Sequence, residues 1–84
     1  MLTDQTAIVT GGNSGIGRAT ALLLARQGAS VFVGDIEQSE ETEKLFAPLN
    51  IVQRSCDVRR ENELAALVEQ AAAPAGQIDI LVNN

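Results

Sequence analysis

The chain has 84 residues, of which 45% are apolar and 20% are charged, so it has room for one domain and the composition of a folded protein. It contains no His, Tyr or Trp, which excludes histidine-based acid/base catalysis, histidine metal ligation and tyrosine proton donors within these residues. The net charge of -5 has the wrong sign for a nucleic-acid or anionic-membrane surface, so we expect neither partner. The single cysteine and the lack of a signal-peptide pattern or long apolar run favour a cytoplasmic protein.

Short apolar runs and a helical pattern alternate in the first part of the chain. Residues Ala7–Thr10 are rich in β-branched side chains and precede glycines, which predicts a buried first strand. A helix is predicted over Ile16–Gln27, where apolar residues crowd together and Gly28 follows as a C-terminal stop. The run Ser30–Gly34 predicts a second buried strand.

The same alternation continues in the rest of the chain. A short second helix is predicted over Ser39–Phe46, and Pro48 prevents it from continuing. Ile51–Cys56 predicts a third strand, Glu61–Ala73 a third helix, and Ile78–Val82 a fourth strand. The apolar face of the third helix comprises Leu64, Leu67, Val68, Ala71 and Ala72.

The order β-α-β-α-β-α-β, with strands that are apolar throughout, predicts an α/β fold with a doubly wound parallel sheet of strand order 3-2-1-4. Such sheets bind ligands outside the carboxyl ends of the strands where the strand order reverses, here between strands 1 and 4. The fourth strand should lie inside a sheet, yet nothing follows it. We therefore expect residues 1–84 to be a partial domain, truncated at the end of strand 4, rather than a complete one.

A glycine-rich loop joins the first strand directly to the first helix. Glycines at such a junction allow positive φ and close backbone approach, and the N-terminus of the helix attracts a phosphate group. An ordinary tight turn is the alternative interpretation. The dinucleotide pattern G-x-G-x-x-G is not met as written, because Thr20 stands where a third glycine should follow Gly15 and Gly17.

The Walker A pattern, G-x-x-x-x-G-K-[ST], is met only in part. Gly12 and Gly17 have its spacing, but Arg18 replaces the lysine and Ala19 replaces the magnesium-binding hydroxyl. A P-loop nucleotide hydrolase is therefore the third-ranked hypothesis.

The loop from Thr10 to Gly17 fits T-G-x-x-x-G-I-G, and here the sequence resembles the compact branch of the short-chain dehydrogenase/reductase family. The extended branch would need glycine where Ser14 stands. Residues 57–58 look like the D-V element of the family, and residues 79–84 look like the start of its D-I-L-V-N-N-A-G element. The resemblance covers nearly the whole chain and implies a Rossmann-type domain that binds NAD(P). Together with position in the fold, it assigns to cofactor binding Gly11, Asn13, Ser14, Gly15, Ile16, Gly17, Asp35, Ile36, Asp57, Val58, Asn83 and Asn84.

The acid after the second strand bears on the choice of cofactor. Asp35 lies 18 positions after Gly17, close to the offset of about 20 residues at which an acid accepts hydrogen bonds from the adenosine ribose. A 2′-phosphate would meet a like charge there, and the basic residues that mark NADP in the family are absent at Ser14 and Ile36. We therefore expect NAD rather than NADP. A solvated carboxylate that starts the next turn is the alternative.

Asp57 has an alternative interpretation as the N-cap of the third helix, and the two roles are compatible. Arg59 and Arg60 are interpreted as a solvated pair that faces Glu61 and Glu63.

The resemblance implies hydride transfer between a nicotinamide and an alcohol or carbonyl carbon, for which the family uses a serine, a Tyr-x-x-x-Lys pair and a further asparagine. This chain has no tyrosine, and its lysine, Lys44, lies in the predicted second helix, so no catalytic residue and no metal ligand is assigned. The first hypothesis is the cofactor-binding half of an NAD(P)-dependent oxidoreductase that acts on a small-molecule alcohol or ketone. The resemblance implies that the full-length parent protein is a homo-oligomer. The second is a non-catalytic NAD-binding module or truncated product.

Overall fold

Over residues 1–13 and 15–84, which the computed structural model describes, four parallel strands and three α-helices alternate. The elements in chain order are β1 (Thr6–Thr10), α1 (Gly15–Arg26), β2 (Ser30–Asp35), α2 (Glu40–Phe46), a 3-10 turn (Ala47–Leu49), β3 (Val52–Ser55), α3 (Glu61–Ala72) and β4 (Ile80–Asn83). No helix in this described part of the chain has the length and apolar character needed to cross a membrane.

The sheet has the order β3-β2-β1-β4, and all of its pairings are parallel. β1 lies between β2 and β4, so that Ile8 is in register with Phe32 on one side and Leu81 on the other. The predicted fold class and strand order are confirmed. The parallel arrangement brings the carboxyl ends of all four strands to one edge of the sheet.

Both faces of the sheet are covered, which explains why the strand sequences are apolar without alternation. On one face, Ala7 and Val9 of β1 pack with Ala21 of α1 and Phe46 of α2. On the other face, Ile8 packs with residues of α3 and with the end of β3, namely Leu67, Ala71 and Cys56. Consecutive residues of β1 thus point into two separate apolar clusters, because side chains alternate along a strand.

The residues predicted to begin or end the first two helices do so in the structure. Gly28 has a φ of 100°, and the backbone N–H groups of Gly28 and Ala29 donate to the carbonyls of Ala25 and Leu24, so α1 is closed by a left-handed glycine as predicted. Ser39 caps α2, because its Oγ accepts a hydrogen bond from the N–H of Thr42 at 3.1 Å. α2 ends at Phe46 and the chain continues into the 3-10 turn that contains Pro48.

Strand boundaries differ from the prediction where a hydrogen bond outside the regular ladder intervenes. β4 begins at Ile80 rather than at Ile78, and the carboxylate of Asp79 accepts the N–H of Thr6 at 2.8 Å in place of a strand carbonyl. β3 begins at Val52 rather than at Ile51, whose N–H donates to the carbonyl of Phe46 and closes the preceding helix.

The buried stripe of α3 is narrower than predicted. Leu67 and Ala71 are buried, whereas Val68 is 38% exposed. The sheet touches only one side of this short helix, so a residue one position along the chain is turned about 100° away from it.

Candidate functional site

The carboxyl ends of the strands enclose a cleft of about 160 Å³. Most of its lining comes from the ends of β2 and β3, and it reaches the predicted point between β1 and β4 through Thr10, Gly11 and Asn84. The cleft is lined by Thr10, Gly11, Gly34, Asp35, Ile36, Cys56, Asp57, Val58, Arg59 and Asn84. Six of the residues assigned from the sequence therefore share one cleft, namely Gly11, Asp35, Ile36, Asp57, Val58 and Asn84. Asn13, Gly15, Ile16, Gly17 and Asn83 lie around it without lining it, and Ser14 lies outside the described residues.

The glycine loop leaves open space at one position and is tightly packed at another. Gly15, the first residue of α1, has a φ of 60°, and a Cβ placed on it would meet no atom within 4 Å. A Cβ on Gly17 would collide with the carbonyl oxygen of Gly11 and with the side-chain amide of Asn84. The small residue at position 17 lets the first turn of α1 rest on the loop, and the glycine at position 15 keeps the approach to the helix N-terminus free.

Asp35 is held by backbone amides at the end of β2. Its Oδ2 accepts the N–H of Asn13 at 3.0 Å, and its Oδ1 accepts the N–H of Glu37 at 3.0 Å. The first of these bonds ties the carboxylate to the glycine loop. Each carboxylate oxygen keeps a lone pair free to accept a further hydrogen bond.

Asn13 is buried and connects the loop to α2 as well. The hydroxyl of Thr42 donates to the backbone carbonyl of Asn13 at 2.7 Å. Ser39 and Arg18 in turn donate to the Thr42 hydroxyl, at 2.9 and 3.4 Å. These three residues were missed at the sequence level, because no motif spacing links a helix threonine to a loop carbonyl 29 positions earlier.

Thr10 joins the ends of β1 and β4. Its hydroxyl donates to Oδ1 of Asn83 at 3.0 Å and accepts the N–H of Asn84 at 3.2 Å, while the Asn84 side chain donates to the Gly11 carbonyl at 3.3 Å. The two asparagines thus hold β4 against the glycine loop. The loop motif includes Thr10 without giving it a role in the site. Its position at the end of a buried strand, next to the loop, could have predicted one.

The Asp57 carboxylate is paired with the next arginine along the loop. The guanidinium of Arg59 donates from Nε to Oδ1 at 3.0 Å and from Nη2 to Oδ2 at 2.9 Å, and the Arg59 N–H donates to Oδ1 at 3.0 Å. These hydrogen bonds from Arg59 lower the pKa of Asp57 to about 2.

The prediction that Asp57 caps α3 is wrong. The N-cap position is occupied by Arg60, which makes no side-chain capping bond, and Asp57 lies three residues earlier with its carboxylate turned to Arg59. The predicted pairing of the arginines is corrected in part. Arg59 contacts Asp57 rather than a glutamate, and Arg60 approaches Glu63 at 3.5 Å and Asp57 at 3.9 Å. Both arginine side chains are largely exposed, as predicted.

Two apolar side chains stand exposed on the walls of the cleft. Ile36 is 59% exposed and Val58 is 44% exposed, and both belong to the lining. Cys56, at the end of β3, is buried, and burial together with the nearby Glu63 and Asp57 carboxylates raises its thiol pKa, which disfavours a nucleophilic thiolate. Among the described residues, no group of three or more His, Cys, Asp or Glu side chains is placed to hold a metal ion.

A doubly wound parallel sheet of this strand order, with a glycine loop leading into a helix at the switch point, is the arrangement typical of nucleotide-binding α/β proteins. The family follows from comparison with known proteins. The model of the short chain dehydrogenase family matches residues 5–84, and the chain belongs to that family. Members of the family are oxidoreductases that use NAD or NADP.

Known relatives match over almost the whole chain. The chain is 43% identical over 86 residues to momilactone A synthase of Oryza sativa subsp. japonica, with 99% of this chain and 31% of that protein covered. It is 42% identical over 84 residues to cis-4-hydroxycyclohexanecarboxylate dehydrogenase of Sinomonas cyclohexanicum, with 96% of this chain and 34% of that protein covered. The crystal structure of hydroxysteroid dehydrogenase from Escherichia coli superposes with a TM-score of 0.85 at 36% identity, covering 99% of this chain and 37% of that one. The chain thus spans about a third of the length of the curated relatives it matches.

Proposed function

We propose that the chain binds a nicotinamide dinucleotide, NAD in preference to NADP, at the carboxyl edge of its sheet. It does so as the cofactor-binding part of an oxidoreductase that transfers hydride between the nicotinamide and an alcohol or carbonyl carbon. One observation carries the proposal: the N–H of Asn13 donates to the Asp35 carboxylate at 3.0 Å, so the glycine loop and the acid form one connected site. A phosphate-binding loop and a ribose-binding acid at this edge are the two requirements for a dinucleotide.

The N-terminus of α1 suits a pyrophosphate. The first turn of this helix contains no acidic residue, so its positive dipole end and free N–H groups face an approaching anion without competition from a carboxylate. The open space at Gly15 lets a phosphate come close to the backbone. Gly11 lies in the loop, whereas Ile16 and Gly17 lie in the first turn of α1, with Gly17 packed against the Gly11 carbonyl.

Asp35 is suited to the adenosine ribose. Its carboxylate is oriented by two backbone N–H groups and keeps lone pairs for two ribose hydroxyls. No lysine or arginine among the described residues forms an ion pair with it, so its negative charge opposes a 2′-phosphate. These features support NAD over NADP.

The exposed side chains of Ile36 and Val58 are suited to contact the adenine ring. Both are apolar and both line the cleft, and burying them against a flat base removes apolar surface from water. Asp57 lies beside them with its carboxylate already charged and held by Arg59. Asn83 and Asn84 support the opposite wall through Thr10 and Gly11.

When bound, the nicotinamide supplies the hydride chemistry. The residues of this chain bind and orient the cofactor, and none of them is assigned a catalytic role. We extend the proposal to a small-molecule alcohol or ketone as the substrate of the whole protein. The relatives named as dehydrogenases of hydroxylated rings support this class of substrate.

Binding without turnover is the second candidate, because the connected loop and acid serve a non-catalytic NAD-binding protein equally well. A P-loop nucleotide hydrolase is not supported. Arg18, at the position of the P-loop lysine, directs its guanidinium to the hydroxyl of Thr42 in α2.

The proposal is tested by titrating the chain with NAD⁺ in a calorimeter, after circular dichroism has established that the chain is folded. We expect Gly15→Ala to weaken NAD⁺ roughly tenfold or more, because the added methyl group occupies the approach of the phosphate and disrupts its charge-assisted hydrogen bonds. The matched control is Gly76→Ala, since Gly76 also has positive φ, of 80°, and open space around its Cβ position. Its turn lies after α3, outside the residues of the cleft.

Equal affinities for the two variants would contradict the proposed phosphate position. Absence of NAD⁺ binding by the folded chain would overturn the proposed function. A tighter complex with ATP and magnesium than with NAD⁺ would favour the P-loop hypothesis instead.

A further inference from the structure

A fully buried threonine in α2 is hydrogen-bonded to the glycine loop. Thr42 has no exposed surface, and its hydroxyl lies 2.7 Å from the backbone carbonyl of Asn13. The carbonyl can only accept, so the single proton of the Thr42 hydroxyl is donated to it. This bond leads from the interior of α2 to the loop that carries the proposed phosphate site.

The other partners of Thr42 fix the direction of that bond. The Ser39 hydroxyl donates to Thr42 Oγ1 at 2.9 Å, and Nη1 of Arg18 approaches the same oxygen at 3.4 Å. Ser39 Oγ in turn accepts the N–H of Thr42 at 3.1 Å. Ser39 and Arg18 thus donate to the lone pairs of Thr42 Oγ1, and the Asn13 carbonyl, at 2.7 Å, is the nearest acceptor for the Thr42 proton among the described residues.

The backbone of Asn13 links Thr42 to Asp35. Its backbone carbonyl is held by Thr42, and its backbone N–H donates to Oδ2 of Asp35 at 3.0 Å. The residue is itself buried, so neither backbone group has water as an alternative partner. A change in the orientation of the Asn13 backbone would therefore move the hydrogen-bond donor that holds the Asp35 carboxylate.

We propose that Thr42 is a positioning residue, which acts through the backbone of Asn13 to orient the Asp35 carboxylate and thereby sets the preference of the site for NAD over NADP. The link to cofactor choice rests on the proposed function. The structural link from Thr42 to Asp35 does not, and it is measurable without any cofactor.

The first measurement is hydrogen exchange of the Asn13 amide by NMR on the cofactor-free chain. We expect Thr42→Val, which keeps the shape and removes the hydroxyl, to speed exchange of this amide about tenfold relative to the amides of β1. Thr42→Ser keeps the hydroxyl and should retain the protection of the wild type. The matched control is Thr6→Val, the same change at a buried threonine at the opposite end of the sheet, which should leave the Asn13 amide unchanged.

The second measurement is the ratio of the dissociation constants for NADP⁺ and NAD⁺. A loss of orientation at Asp35 should weaken the binding of NAD⁺ about tenfold and that of NADP⁺ much less. Thr42→Val should therefore lower the ratio of the NADP⁺ to the NAD⁺ dissociation constant, and Thr42→Ser should keep the ratio of the wild type. A purely structural role for Thr42 would weaken both cofactors by the same factor.

Several outcomes would overturn the inference. These are unchanged Asn13 exchange in Thr42→Val, equal weakening of both cofactors, or a loss of Asn13 protection in Thr42→Ser. If Thr42→Val does not fold, Thr42→Ser decides alone, since it must keep both the amide protection and the cofactor ratio. Failure of the wild-type chain to bind NAD⁺ would overturn the proposed function, while the exchange comparison still tests the link from Thr42 to Asp35.

Discussion

The two carboxylates at the cleft are stabilised in different ways. Asp35 is held by the backbone N–H groups of Asn13 and Glu37, whereas Asp57 is held by the guanidinium of Arg59. Backbone amides orient a carboxylate without cancelling its charge, but an arginine does both. The negative charge next to the proposed ribose site is therefore the less compensated of the two, which is the arrangement that discriminates against a 2′-phosphate.

Asp35→Ala should weaken the binding of NAD⁺ and reduce the preference of the site for NAD⁺ over NADP⁺. We expect the NAD⁺ dissociation constant to rise roughly tenfold, from the loss of charge-assisted hydrogen bonds to the ribose, while NADP⁺ loses less because a repulsion is also removed. The measurement is a calorimetric titration with each cofactor. Glu37→Ala is the control, since this exposed acid two residues later donates only its backbone N–H to Asp35. Equal losses for both cofactors would mean that Asp35 does not contact the ribose.

The Asp57 carboxylate should titrate well below an ordinary aspartate. Its pKa of about 2 lies below the ordinary value of 3.8, so Arg59 stabilises the folded state above that ordinary value, and the contribution is lost as the pH falls through about 2. The ¹³C chemical shift of the Asp57 carboxyl carbon reports the midpoint directly. Arg59→Ala should raise the midpoint towards 3.8, and Arg54→Ala should not, because Arg54 contacts Gln70 and the Gln53 carbonyl instead. A wild-type midpoint near 3.8 would contradict the Arg59 pairing.

At the scale of elements, α3 and α2 are positioned near the cleft by different kinds of contact. α3 packs on β2 at Gly34, where an added Cβ would lie 2.5 Å from Cδ2 of Leu67 and 3.1 Å from Cβ of Cys56. α2 is tied to the glycine loop by polar bonds through Thr42 as well as by the buried Phe46. The small residue in β2 therefore sets how closely α3 approaches the strand ends that form the cleft.

Leu67→Ala should destabilise the fold much more than Val68→Ala. Leu67 is 2% exposed and packs with Ile8 and Ala71, so its truncation leaves a cavity and should cost about 2–5 kcal/mol. Val68 is the neighbouring residue of the same helix but is 38% exposed, so its truncation should cost less than about 1 kcal/mol. Urea unfolding followed by far-UV circular dichroism measures both. Similar midpoints for the two variants would place α3 elsewhere on the sheet.

The whole molecule is built around β1. Its residues are all buried, and it pairs with β2 on one side and β4 on the other, whereas β3 and β4 each have a single neighbour in the described sheet. Apolar surface remains at β4, where Leu81 is 61% exposed. Stability should therefore fall from the central strand to the outer ones.

Native-state hydrogen exchange should reproduce this gradient. We expect the amides of Ile8 and Val9 to exchange last, because both faces and both edges of β1 are covered. The amides of β3 and β4 should exchange before those of β1, since each of these strands has a single neighbour in the described sheet. NMR of the chain transferred into D₂O measures both groups. Equal protection in β1 and β3 would show that the sheet opens as one unit.

Much of the fold was predictable, and the errors lie at element ends and in hydrogen-bond partners. Element order and the two buried faces follow from apolar periodicity and from the glycines at the junctions, which are local properties of the chain. Strand order follows from the connection rules of doubly wound parallel sheets. The start of β4 was misplaced because the Asp79 carboxylate bonds to Thr6, 73 positions away. The Asp57 cap was wrong because α3 begins only at Glu61, with Arg60 at the N-cap position, three residues beyond Asp57. Such choices between hydrogen-bond partners depend on geometry that spacing does not encode.

The sequence by itself determined the class of the fold, the family and the residues that gather at one edge of the sheet. It could do so because parallel strands with crossover helices must bring their carboxyl ends together. In addition, each of the motifs, in the loop and at the strand ends, is a continuous stretch of sequence. Only the tertiary structure decided how Asp35 is held, by the Asn13 N–H, and how Thr42 holds the Asn13 carbonyl. Those bonds join three segments that are separate in the sequence, and their partners meet only when α2 packs against the loop in the folded chain.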